Sequence, residues 1–123
     1  MSESRTHRFN VHDTDWSPFP EFGGHEAILY RSPDGTRMAA SFRLSGTHSW
    51  QMPYDDTFFV IAGTALVTVE DEEPFEIRAG DFCHIAQGSN VTFAMSDDFH
   101  EVSVLVSNTP FDHESHAAVS AAT

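Results

Sequence analysis

The sequence has no lysine and a single cysteine, Cys83. One cysteine excludes an intrachain disulfide and makes a cysteine-based zinc site improbable. With lysine absent, six arginines stand against nineteen acidic residues, and the formal charge is −13. A surface of that sign repels a phosphate backbone, which excludes nucleic acid and anionic membranes as expected partners. No apolar run approaches the roughly 20 residues of a membrane span, and MSESRTHRFN at the N-terminus has no secretory apolar core. The expected compartment is therefore the cytoplasm. Helical spacing is missing as well: no middle segment repeats apolar residues at 3, 4 and 7 over about 11 positions. There is no internal repeat and no low-complexity tract.

What remains is a succession of short runs rich in β-branched and aromatic residues, separated by turn signals. The runs are His25–Arg31, Met38–Leu44, Thr57–Ile61, Ala65–Glu70, Phe75–Arg78, Phe82–Ile85, Val91–Met95 and Glu101–Ser107. Turns are predicted at Ser32-Pro33-Asp34-Gly35, Ser45-Gly46, Gly63, Asp71 to Pro74, Gly80, Gly88 to Asn90 and Asp97-Asp98, among others. An all-β barrel or sandwich follows, within one domain for 123 residues. In the last run Val102, Val104 and Val106 alternate with Glu101, Ser103, Leu105 and Ser107, which suits one buried face. Three regions are expected: an extended arm over 1–24, a barrel over 25–110 and a flexible tail over 111–123. In the arm, DWSPFPEFGG carries two prolines that hold it extended, and Trp16, Phe19 and Phe22 need apolar cover. It should pack across the barrel or onto a neighbouring subunit.

Residues 46–63, GTHSWQMPYDDTFFVIAG, and 80–88, GDFCHIAQG, have the glycine and carboxylate frame of a two-part motif. Together they resemble the paired motifs of the cupin superfamily. The resemblance implies a single double-stranded β-helix, or jelly-roll, barrel. In metal-dependent cupins this frame supplies three histidines and a glutamate to one divalent ion, a donor set suited to Fe, Mn, Ni, Cu or Zn. Laid on that frame, Asp56 stands at the glutamate position. The histidine positions fall on Trp50 and Met52 (or Ser49 and Gln51 with a longer spacer) and on Val91. One carboxylate does not hold a divalent ion against water. No cofactor is therefore expected. The stretch from Trp50 to Phe93 is more specifically similar to the cupins like the ethanolamine-utilisation protein Q, in which the histidine set is also missing. Met52-Pro53-Tyr54 and Asp55-Asp56 carry that match, while Ala62, Ala86 and Gln87 depart from the family's glutamate, proline and lysine. With no glycine-rich phosphate loop and no lysine, a phosphoryl-transfer role is not carried over.

If Asp56 faces the lumen, period-two alternation brings Tyr54, Phe58 and Val60 to the same face. Trp50 and Met52 join them upstream, with Val91 and Phe93 from the strand after the second motif. Such a pocket suits a small, partly apolar organic molecule. Asp56 is the candidate general base or acid, Tyr54 a proton donor or oxyanion partner, and His84 a possible acid/base partner near neutral pH. The bland reading makes Asp56 and Tyr54 satisfied core residues, His84 outward facing and Cys83 a small buried hydrophobe. Asp55, Asp81 and the run Glu70 to Glu73 read as solvated. The expected activity is metal-independent isomerase, lyase, dehydratase or cyclase chemistry. The alternatives are a non-catalytic binding or accessory cupin, and a metalloenzyme rebuilt from His48, Asp56 and His84, with or without His100. His7, His12, His25, His113 and His116 read as mostly exposed. Sheet edges and the aromatic arm predict a homodimer.

Overall fold

The structure, a computed structural model, describes residues 6–111. His113, His116 and all but the first residue of the predicted tail lie outside the described residues. The chain runs β1 (Ser17–Phe19), a 3₁₀ turn (Pro20–Phe22), β2 (Gly24–Arg31), β3 (Arg37–Gln51), β4 (Asp55–Ala62), β5 (Thr64–Val69), β6 (Phe75–Arg78), β7 (Phe82–Ile85) and β8 (Asn90–Val106). All pairings are antiparallel, in the order β1-β2-β3-β8-β4-β7, with β5 joining β8 to β6. The all-β expectation holds.

Two predicted turns are corners inside long strands. Ser45-Gly46 lies in β3 and Asp97-Asp98 in β8. The β3–β8 register skips between Leu44 and Gly46, and Gly46 takes φ +88°. A bulge with a glycine at positive φ bends a strand without ending it. Beyond this corner β8 changes partners. Its first half pairs with Gly46–Gln51 and with β5, and its second half with Arg37–Leu44 and with β4. Two half-sheets thus face each other across one core, in which Met38, Met52, Phe58, Val60, Val67, Phe99 and Leu105 are fully buried. At the β4–β5 turn Gly63 has φ +81°, and a Cβ there would stand 2.7 Å from Phe99 Cα. That turn passes too close to β8 for any side chain.

The alternation on β8 is real, but its apolar side faces out. Glu101, Ser103, Leu105 and Ser107 are buried, whereas Val104 and Val106 are 54% and 40% exposed. The outer face of this half-sheet is divided. One part, around Ser41, Arg43 and His100, is covered by the arm: Trp16 lies edge-on to His100 at 5.6 Å, and the Arg43 guanidinium sits 4.3 Å over the Trp16 ring. His100 Nε2 is 2.9 Å from Ser41 Oγ. The rest, bearing Thr57, Phe59, Phe82, Val104 and Val106, is left uncovered by the described residues. Trp16, Phe19 and Phe22 therefore find their apolar cover on this chain's own barrel. At the other end Phe111 is buried, donates its N–H to Gly35 O and packs its ring 5.5 Å from that of Tyr54.

Candidate functional site

The lumen contains a cavity of about 30 Å³, room for one or two waters, lined by Phe19, Phe22, Phe42, Leu44, Trp50, Tyr54, Asp56, Phe93, Met95 and Glu101. Period-two geometry builds its floor from adjacent strands. Asp56 pairs with Leu105 on the β4–β8 ladder, Phe58 with Ser103 and Val60 with Glu101, so both carboxyls project to the same side. Asp56 and Glu101 are each only 7% exposed. Asp56 Oδ1, Glu101 Oε1 and Trp50 Nε1 are buried with no hydrogen-bond partner among the described residues. A buried polar atom left unpaired is costly, and several in one cavity mark a place shaped for something else.

Burial raises Asp56 from 3.8 to about 7, tempered by the neighbouring Ser103 hydroxyl, whose Oγ makes no well-formed bond of its own. Glu101 is pushed well above the ordinary carboxylate range by burial and then by the charge of Asp56. Two carboxyls that suppress each other's ionisation titrate as a unit, so near neutrality the pair retains a proton. Burial also raises the Tyr54 phenol, reinforced by Asp56, Glu101 and Glu26. It is a neutral donor throughout the physiological range. Cys83, half-buried on β7, is raised to about 11 by burial and then by Asp56 and Glu101, which leaves it an inert thiol.

Of the residues expected from sequence, Asp56, Tyr54, Trp50 and Phe93 converge on the cavity. Met52, Phe58, Val60 and Val91 are buried in the core and do not line it. His84 is corrected: it is exposed on the outer face opposite Thr57, whose hydroxyl is 2.7 Å from its Nδ1, because strand parity turns it away from the Asp56 side. His84→Ala should accordingly change unfolding free energy by less than about 0.5 kcal/mol and leave lumen chemistry intact, as denaturant titration and turnover would check. Sequence reading missed Glu101 and the ring wall of Phe19, Phe22 and Phe42. Its signal was there: one acidic residue on the same strand face as Ser103 and Leu105.

The donor set does not fit a transition ion. No group of three or more metal-ligating side chains converges among the described residues. His48 donates its Nε2–H to Ser45 O at the rim, His84 is outside and His100 faces Ser41 beneath the arm. Imidazoles, the donors such sites depend on, are thus turned away from Asp56 and Glu101.

The barrel and its two-motif lumen define a cupin. Residues 32–101, more than half of the chain, match the EutQ-like cupin domain, and the chain belongs to that family. Among solved structures it is similar to KdgF from Halomonas sp., with 18% identity and a TM-score of 0.69 over 90% of this chain and 98% of that one. It is similar to the polyketide cyclase RemF from Streptomyces resistomycificus, with 17% identity and a TM-score of 0.62 over 82% and 79% of the two chains. It is also similar to a putative ethanolamine utilization protein Q from Salmonella typhimurium, with 22% identity and a TM-score of 0.54 over 67% and 68%. At these identities the likeness is one of fold. No curated protein matches the sequence. No helix among the described residues is long and apolar enough to cross a membrane.

Proposed function

We propose that this cupin is a metal-independent enzyme that moves a proton on a small, partly apolar organic molecule bound in the lumen, the step of an isomerase, lyase, dehydratase or cyclase. The observation that supports it most is the pair of buried, unpartnered carboxyl oxygens, Asp56 Oδ1 and Glu101 Oε1, facing one aromatic-walled cavity. In the singly protonated pair, one carboxylate takes a proton from carbon while its neighbour, still protonated, returns one elsewhere on the same molecule. Tyr54, kept neutral, donates a hydrogen bond to oxygen charge that develops in between. Glu101 thus takes the place that the sequence suggested for His84. The structural neighbour RemF is a polyketide cyclase, which supports the reading of this barrel as an enzyme.

The test needs no prior substrate. Protein in D₂O is incubated with a panel of small ketones, enols, hydroxy compounds and amines, and solvent deuterium entering a carbon position is read by mass spectrometry. Wild type should label or convert at least one compound, unaffected by chelator, and Asp56→Asn should slow it about 10²- to 10⁴-fold. A compound that binds with saturation yet neither exchanges nor reacts would make this a binding cupin instead.

A further inference from the structure

We propose that the lumen is a site for a small organic cation, a protonated or methylated amine, held against aromatic faces with the Asp56–Glu101 pair as its counter-charge. This rests on the lumen being the functional site, and it names the class of molecule. Every ionisable group directed at the cavity is acidic. Asp56 comes from β4 and Glu101 from β8, both act on the phenol of Tyr54 beside them, and Glu26 from β2 acts on that phenol as well. Behind them on β7 stands Cys83, whose thiol stays protonated and brings no positive charge. Among the described residues no arginine or histidine lines the cavity, and His48, packed against Phe22, has its Nε2–H committed to Ser45 O. An anion would enter beside two carboxyls with nothing to neutralise it. A neutral guest would leave an ionised carboxylate uncompensated in an apolar enclosure. A cation alone balances the pair, and the chain's charge of −13 attracts it from solution. The walls suit it too: Phe22, Trp50 and Tyr54 all line the cavity, with Trp50 edge-to-face with Phe22 at 4.9 Å and with Tyr54 at 5.8 Å, and aromatic rings attract an organic cation.

Phe22, a half-buried ring of the lining, leans on Phe19, His48 and Trp50 at 4.9–5.1 Å. A guest of this kind is larger than the cavity of about 30 Å³, so its entry requires the lining rings to move apart. Calorimetric titration at pH 6 and pH 8 with tetramethylammonium, choline, choline's uncharged carbon isostere 3,3-dimethylbutanol, and pivalate tests the inference. In wild type and in Phe22→Ala, the ammonium ions should bind at least ten-fold tighter than the alcohol at pH 8. They should bind more weakly at pH 6 and release protons on binding, read as a dependence on buffer ionisation enthalpy. Asp56→Asn should lose at least ten-fold for the cations only. Equal affinity for the alcohol, binding of pivalate, or no ammonium binding to either protein overturns the inference. A neutral compound that is deuterated in the lumen would sink the cation while leaving the acid/base reading intact.

Discussion

Asp56→Asn is expected to lose activity and gain stability at the same time. The folded-state pKa of Asp56 is raised from 3.8 to about 7. Between those values the folded protein holds more protons than the unfolded chain, so stability is complete at acid pH and falls as pH rises through 7. Three pH units correspond to about 4 kcal/mol, and sharing the proton with Glu101 reduces what one substitution recovers to about 2–4 kcal/mol at pH 8. For a domain of this size that is a rise in Tm of roughly 10 °C. At pH 4–5, where the wild-type carboxyl is already neutral, the gain should vanish. His100 slopes the other way. Burial, then Arg43 and His12, lower it from 6.5 to about 4, so stability drops as pH falls from 6.5 toward 4. Wild type should accordingly be most stable in mildly acidic solution, with Asp56→Asn flattening the alkaline limb alone. Denaturant melts of both proteins at pH 5 and pH 8 check this. An equal loss at both would mean that Asp56 is a satisfied structural carboxyl and the functional reading has no footing.

The fold was readable because strands announce themselves locally. Phe75–Arg78 and Phe82–Ile85 fall where β-branched and aromatic residues alternate between turn signals, and the motif glycines place the corners. What could not be read was continuity: Ser45-Gly46 and Asp97-Asp98 look like chain reversals, and only the pairing of β3 with β8 on both sides of the corner makes them bends. The site was half readable. Asp56, Tyr54 and Trp50 follow from a short motif whose parity is set by neighbours close in sequence. Glu101 lies 45 positions from Asp56, and its facing depends on which side of β8 the barrel closes over. Three valines opposite it pointed hydrophobicity the wrong way, since part of that face is left uncovered by the described residues. His84 failed for the converse reason: a residue near the motif in sequence lies on the wrong side of its strand.

Phe58 separates core from site most sharply, because sequence parity makes it a pocket wall and the structure makes it a foundation. Its side chain is fully buried, packs edge-to-face with Phe93 at 6.3 Å, and does not line the cavity. Phe58→Ala should therefore cost about 3–5 kcal/mol of unfolding free energy, the usual penalty for removing a buried phenyl ring from a site that cannot collapse. Trp50 lines the cavity and is only half-buried, and its Nε1–H has no partner among the described residues. Trp50→Phe should cost less stability, about 1 kcal/mol, and remove more ligand affinity. The two substitutions thus invert the ranking of their effects, and thermal melts paired with titration of any lumen ligand read both. If Phe58→Ala were stable but blind to ligand, the cavity would reach further down the barrel than Asp56 and Glu101, and the carboxyl pair would be its wall rather than its floor.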